Sequence, residues 1–176
     1  MKDTSKPTPP TLHGEHVTLR PLGESDVDHL AHAIPADEGA MPWWGDDPER
    51  VRRWLTEERS TGLAIDVGDT LVGAILYHEE TDPDYRSAGM DVVVLAPYAG
   101  RGLGPDALRT LARYLFEERG HHRISIDPAV KNHNAIRAYE KVGFRPVGIL
   151  RRYERGPDGV WRDGLLMEML DDEFTG

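Results

Sequence analysis

From His16 to Leu22 apolar and polar residues alternate, the period of a strand with one buried face. Gly23-Glu24-Ser25-Asp26 then supplies the small and acidic residues of a helix start, predicting a helix that runs through Ile34. Pro48 opens a second helix, with Val51, Trp54 and Leu55 on one face and Glu57-Glu58 on the other. Between the two helices Gly39-Ala-Met-Pro-Trp-Trp-Gly45 reads as an aromatic loop. Leu63–Val67 and Leu71–His78 predict a hairpin about Gly68-Asp69, and Gly89–Leu95 predicts a third strand. From Leu103 the spacing of Leu108, Leu111, Ala112 and Leu115 makes one helical stripe that stops at Gly120. Ile124–Asp127 predicts a short strand and Asn134–Val142 a helix closed by Gly143. Phe144–Arg155 and Val160–Leu170 predict a last hairpin across Gly156-Pro-Asp-Gly159.

The order is strand, Tyr98-Ala-Gly-Arg-Gly-Leu-Gly104, then helix, and it gives the middle of the chain a chemical meaning. Glycines let the backbone approach an anion, and the first N–H groups of a helix have no internal partner, so this turn is a candidate phosphate cradle. Gly102-x-Gly104-x-x-Ala107, with Asp127 after the next strand, also fits a dinucleotide fingerprint. Against that reading, the glycines fall past mid-chain, only one strand–helix–strand unit follows them, and hairpins precede them. A P-loop is excluded, because no Lys-Ser or Lys-Thr follows the glycines.

With Asn132-His-Asn-Ala-Ile-Arg-Ala-Tyr139 and Gly143-Phe144 downstream, the segment resembles the acetyl-CoA-binding core of the GCN5-related N-acetyltransferases (GNAT). The likeness extends from about Val17 to Leu170 and is densest from Met90 to Phe144. It implies a mixed α/β GNAT fold: a mostly antiparallel sheet splayed between two central parallel strands, with helices on both faces. It further implies acetyl-CoA as co-substrate. The backbone of Val92, Val93 and Val94 would pair with the pantetheine arm, and Arg101, Gly102, Leu103 and Gly104 would hold the pyrophosphate. Asn134 would bond the cofactor arm, while Asn132 stands open between that role and a helix cap. Ala99 departs from the family, which often has Arg or Gln there, so one side-chain contact to phosphate is missing. Tyr139 matches the family's tyrosine and would be the general acid.

Asp91 and Asp127 each end or interrupt an apolar strand, where an acid needs a reason to be. Together with Met-Pro-Trp-Trp-Gly45 and Glu79-Glu-Thr-Asp-Pro83 they look like aminoglycoside 6′-N-acetyltransferases. On that likeness Asp91 is the base and Asp127 the amine anchor. Trp43 or Trp44 would stack on a sugar, and Glu79, Glu80 and Asp82 would meet further ammonium groups. Asn134-x-x-Ala, Glu140-Lys-Val-Gly-Phe144, Gly148-Ile-Leu-Arg-Arg152 and Arg162-Asp163-Gly164 are also similar to ribosomal-protein N-terminal acetyltransferases, which act on a peptide α-amine. A non-catalytic acetyl-CoA-binding module is the third reading.

Composition narrows the partners. At 176 residues the chain suits one domain, with residues 1–12 as a flexible N-terminal segment and 13–176 as the acetyltransferase domain. A formal net charge of −10, from 31 acidic and 21 basic residues, argues against nucleic acid and for a cationic small-molecule amine. The acids gather at Asp37-Glu38, Asp46-Asp47, Glu79-Glu80 and Asp82–Asp84, segments that read as loops able to line such a site. The absence of cysteine excludes thiol nucleophiles and Cys-bound zinc, and the eight scattered histidines give no metal site. With no signal peptide and no apolar run of membrane-spanning length, a cytoplasmic monomer or homodimer is expected.

Overall fold

The computed structural model describes residues 8–176. Its sheet has eight strands: β1 (Leu12–His13), β2 (Thr18–Pro21), β3 (Ser60–Val67), β4 (Thr70–Glu80), β5 (Ser87–Val94), β6 (Arg123–Ile126), β7 (Arg145–Arg155) and β8 (Trp161–Leu170). They lie in the order β1-β2-β3-β4-β5-β6-β8-β7, and the central pair β5 and β6 is parallel while the other neighbours are antiparallel. The helices are α1 (Glu24–Ala36), α2 (Met41–Trp44), α3 (Pro48–Leu55), α4 (Leu103–Arg113) and α5 (His133–Val142), with a π-helical turn at Tyr114–Glu118 extending α4.

Both faces of the sheet are covered, which is why β4 reads as an apolar run rather than an alternation. Ala74 and Leu76 point into the cluster that α1 and α3 fill with Val27, Leu30, Ile34, Val51 and Leu55. Ile75 and Tyr77 point the other way, into the larger cluster of Leu108 and Leu111 from α4 and Leu115 from its π-helical extension, with Tyr139 and Phe144. Arg20 of β2 forks between Asp26 of α1 and Asp66 of β3, with bonds of 2.6 Å to each, and so fixes α1 against the sheet.

Two boundaries differ from expectation. The supposed aromatic loop carries a helical turn, because Pro42 near its start suits a helix N-terminus and Asp37 Oδ1 accepts the N–H groups of Gly39 and Ala40 at 3.0 and 2.9 Å. Ordered strand begins at Leu12, paired with Leu19, inside the segment expected to be flexible; residues 1–7 of that segment lie outside the described residues.

The feature that makes room for a ligand is the short β5–β6 pairing. Only Ala88 and Gly89 of β5 have partners on β6, namely Ile124 and Ser125. Beyond Gly89 the strands part, and the β6-facing backbone of β5 is left without a strand to bond. No helix among the described residues is long and apolar enough to cross a membrane.

Candidate active site

The opening between β5 and β6 leads into a groove of about 870 Å³ lined by Val92, Val93 and Val94, by Ala99 through Pro105, and by Asn132, Asn134 and Tyr139. Gly102 is the N-cap of α4 with φ 79°, a left-handed conformation that only glycine adopts without strain. Gly100 is also left-handed, at φ 75°. Together they turn the backbone into α4 beside the groove, where Leu103 and Gly104, whose N–H groups have no partner within the helix, line it at the positive end of the α4 dipole. Pro105, third in the helix, has no N–H to give and loses no internal bond. Asp106 would oppose an anion here, but its carboxylate is occupied, accepting the N–H groups of Glu15, His16 and Val17 at 2.7–3.0 Å. Arg101, Arg109, Arg137 and Lys141 supply cations along the rim. The residues present therefore fit a pyrophosphate-bearing donor.

Every residue expected to hold the cofactor lies along this groove, but the two key glycines are not equivalent. A side chain at Gly102 would meet nothing within 4 Å, so the obstacle there is backbone conformation; a Cβ at Gly104 would stand an ordinary 3.7 Å from Val94 Cγ2. Forcing a non-glycine residue into the left-handed region costs about 1–2 kcal/mol, roughly a tenfold change in an equilibrium. Gly102→Val is strained and also puts a branched side chain into the turn that the pyrophosphate must approach, so it is expected to weaken acetyl-CoA binding about tenfold or more in a folded protein, while Gly104→Ala, unstrained and one methyl larger, is expected to weaken it less. Calorimetric titration checks both, and unchanged affinity in Gly102→Val would remove the cradle.

A second cavity of about 260 Å³ opens from the same splay. Trp43, Trp44, Trp54 and Tyr153 wall it, and Asp91, Asp127 and Glu154 give it three carboxylates. Trp43, Trp44, Val92, Asn132 and Tyr139 border both spaces, so donor groove and acceptor cavity meet at Tyr139. Asp91 is reached by solvent through the cavity, yet protein surrounds it on the remaining sides. That burial, reinforced by the charge of Asp127, pushes its carboxyl up to about 7, against a long 3.5 Å hydrogen bond from Trp54 Nε1. A base with that value is poised for neutral pH. Burial, with the charges of Asp91 and Asp127, raises the Tyr139 phenol above its ordinary value, so it keeps its proton. Burial also lifts the Glu154 carboxyl, with Arg50 opposing from 3.9 Å. Asn132 caps α5 by accepting the N–H of Ala135 at 3.1 Å, and Asn134 accepts from Arg137 at 2.6 Å.

The acidic segments are not brought to this cavity. Glu79 lies in β4, not in a loop, and pairs across the sheet with Ala88, before the strands part. Its carboxylate is taken by Arg119 at 3.0 Å and by His121 Nε2 at 2.7 Å. Burial alone would raise its carboxyl; those hydrogen bonds outweigh it and hold it below the usual range. Glu80 and Asp82 accept backbone N–H groups of Asp82 and Asp84 in the following turn. Asp37 accepts the N–H groups of Gly39, Ala40 and Ala96, and Asp47 caps α3. Trp54, Tyr153 and Glu154 are cavity residues that the sequence did not single out. Trp54 reads as part of an apolar helix face, and Tyr153 and Glu154 sit in and just after an irregularity in β7 that no local pattern marks. Among the described residues no group of His, Asp or Glu is placed to hold a metal.

The cavity wall that Arg162 contributes is tied to the segments around it. Arg162 of β8 donates to the Pro42 carbonyl at 3.1 Å, and Arg50 of α3 donates to the Arg155 carbonyl at 3.0 Å. Pro157 at the β7–β8 tip packs against Gly45, where a Cβ would be 3.2 Å away.

Comparison with known proteins agrees with this anatomy. A family model described as an acetyltransferase (GNAT) domain matches residues 16–145. The chain is 30% identical over 171 residues to an aminoglycoside N(6′)-acetyltransferase type 1 of Klebsiella pneumoniae, covering 85% of this chain and 82% of that one. Its fold superposes on Mycobacterium smegmatis RimJ in complex with CoA-disulfide with a TM-score of 0.83 at 25% identity, covering 96% of this chain and 90% of the other. The aminoglycoside acetyltransferase AAC(6′)-Ib in complex with coenzyme A gives 0.72 at 27% identity, over 89% and 96%. A splayed parallel pair, a left-handed glycine cradle and a domain match over most of the chain make this protein a member of the GNAT acetyltransferase family.

Proposed function

We propose that this acetyltransferase transfers the acetyl group of acetyl-CoA to an amine of an aminoglycoside, a small polycation that offers one amino-sugar ring to the 260 Å³ cavity. The observation that carries this reading is the cavity's lining: three carboxylates among five aromatic rings, Trp43, Trp44, Trp54, Tyr139 and Tyr153, directly beside the donor groove. Carboxylates recognise ammonium groups, and aromatic faces recognise the apolar face of a sugar or a cation. The relatives with aminoglycoside activity support the same class. The likeness to RimJ keeps the protein N-terminus as the second reading.

The chemistry needs no covalent intermediate on the enzyme. Asp127 anchors the incoming amine, and Asp91 takes its proton so that the nitrogen lone pair can attack the thioester carbonyl. The unpaired backbone N–H groups of β5 stabilise the oxyanion as the carbon–nitrogen bond forms. Tyr139 hydrogen-bonds the sulfur and gives it a proton as the carbon–sulfur bond breaks, and the second proton shed by the acylated nitrogen passes through solvent to restore the phenol, while the first leaves Asp91 to solvent. The products are an acetamide and the free thiol of coenzyme A.

Turnover against kanamycin, spermidine and N-terminal peptides tests the assignment. An aminoglycoside carries several charges, so its KM is expected to rise as salt shortens the screening length to roughly 10 Å at 0.1 M. Glu154→Gln is expected to raise that KM several-fold, and Glu80→Gln, at a carboxylate far from the cavity, to leave it unchanged. Acetylation of a peptide with no turnover on any aminoglycoside would overturn the substrate class and leave the acetyltransferase standing.

A further inference from the structure

Strand β7 loses its register with β8 between Leu150, opposite Gly164, and Glu154, opposite Arg162. Arg151, Arg152 and Tyr153 therefore face the single residue Asp163, and a bulge of this kind re-aims the side chains that follow it. The bulge is pinned at several points. Arg152 has φ 49°, the single positive value on a non-glycine residue among the described residues. Its backbone N–H donates to Asp163 Oδ1 at 2.7 Å. The ring of Tyr153 lies on the Gly164 backbone, where a Cβ would stand 3.1 Å from Tyr153 Cδ1. On their other side Asp163 and Leu165 are tied to the segment that follows Asp127, through Val130 N–H to the Asp163 carbonyl at 3.0 Å and Leu165 N–H to the Pro128 carbonyl at 2.8 Å. The outcome of all these contacts is one hydrogen bond: the Tyr153 hydroxyl donates to Asp127 Oδ2 at 3.0 Å.

We propose that Tyr153 is a positioning residue for the acceptor: the bulge holds its hydroxyl on Asp127 Oδ2, so that Oδ1 is the oxygen turned to the substrate ammonium. Backbone strain concentrated where a side chain meets a cavity is a pattern of functional sites. Burial, with the charge of Asp127, pushes the Tyr153 phenol up to about 12, so it remains a donor at working pH. Among the described residues no other side chain hydrogen-bonds the Asp127 carboxylate, so without Tyr153 it has no fixed rotamer. Tyr153 thus acts on binding and orientation, whereas Tyr139, at the junction with the donor groove, acts on the leaving group.

The inference rests on the cavity being the amine site, but not on the amine's class. It is tested with kanamycin or, should the peptide arm of the panel win, with the acetylated peptide. Tyr153→Phe keeps the ring on Gly164 and deletes one charge-assisted hydrogen bond, so the acceptor KM is expected to rise about tenfold. Its kcat is expected to stay within about twofold, with the KM for acetyl-CoA unchanged as the check on folding. Asp127→Asn is expected to raise the acceptor KM at least as much, and the double variant to be no worse than Asp127→Asn alone, because the two residues act as one unit. Additive losses in the double variant, or a fall in kcat at unchanged KM, would overturn the proposal.

Discussion

Asp91→Asn is expected to cost about 10²–10⁴-fold in turnover at neutral pH, the range over which a positioned general base contributes. The amide keeps the shape and still accepts from Trp54, but it cannot take a proton. Two companion results separate a base from a structural acid. The first is stability. The folded-state carboxyl of Asp91 lies near 7, above its unfolded value near 3.8, so the folded state binds more protons in that interval. Stability is therefore lost as pH rises from about 4 to about 7, because the charge is being forced into a site that disfavours it. Asn removes that penalty, so the inactive variant is expected to melt at pH 8 no lower than wild type. An acid that merely holds the fold would give a lower melting temperature. The second is the pH profile. A base works only when ionised, so the kcat/KM of wild type should fall as pH drops through about 7. Asp127→Asn removes the second cause of the raised value and leaves burial, the first. The acid limb of that variant should move to lower pH, measured with the same acceptor so that the amine's own ionisation cancels. An unmoved limb would mean that the two carboxylates do not sense each other.

How much of this site could be seen in the chain depends on how local each part is. The glycine cradle and α5 are legible because their information is contiguous: a positive-φ turn needs Gly102, and Asn132 to Tyr139 lie on one helix start. The β4–β5 strands are legible because both faces are buried and the residues say so. The function of an acid is another matter, since a carboxylate in a sequence does not show its partner. Glu79 looks like the neighbour of Glu80 and Asp82, yet its partners Arg119 and His121 lie 40 and 42 residues away and meet it only after the sheet forms. Glu154 carries no sequence mark of its role, although it is in the cavity. Tyr153 illustrates the same limit in a strand. Parity along β7 assigns each side chain to a face until a three-against-one bulge breaks the count, and the cause of that bulge, Asp163 with Gly164, sits on the partner strand. Trp54 fails for a simpler reason: its apolar helix position is equally suited to a core residue and to a cavity wall, and it is both, packed at a tilt against Trp44 with centroids 4.0 Å apart.

Tyr139→Phe is the complementary experiment on the departing side of the reaction. It deletes one hydroxyl from a side chain that is 9% exposed and packs edge-on to Phe144, so the fold and the groove should be retained. The phenol is buried beside two carboxylates and is a weaker acid than free tyrosine. A thiol ionises near ~8.5, so full transfer of a proton from such a phenol to a free thiolate runs uphill. Tyr139 therefore has to act while the carbon–sulfur bond is still breaking, when the sulfur gains both charge and basicity in one motion. That places its contribution in the transition state rather than in binding. The expected result is a kcat lower by about 10²-fold or more, with the KM values for acetyl-CoA and for the amine little changed. The loss should shrink with an acetyl donor whose leaving thiol is more acidic, because such a thiolate needs less help. A loss below about tenfold, or one that is the same for both donors, would assign the proton to solvent and leave Tyr139 as a wall between the two spaces.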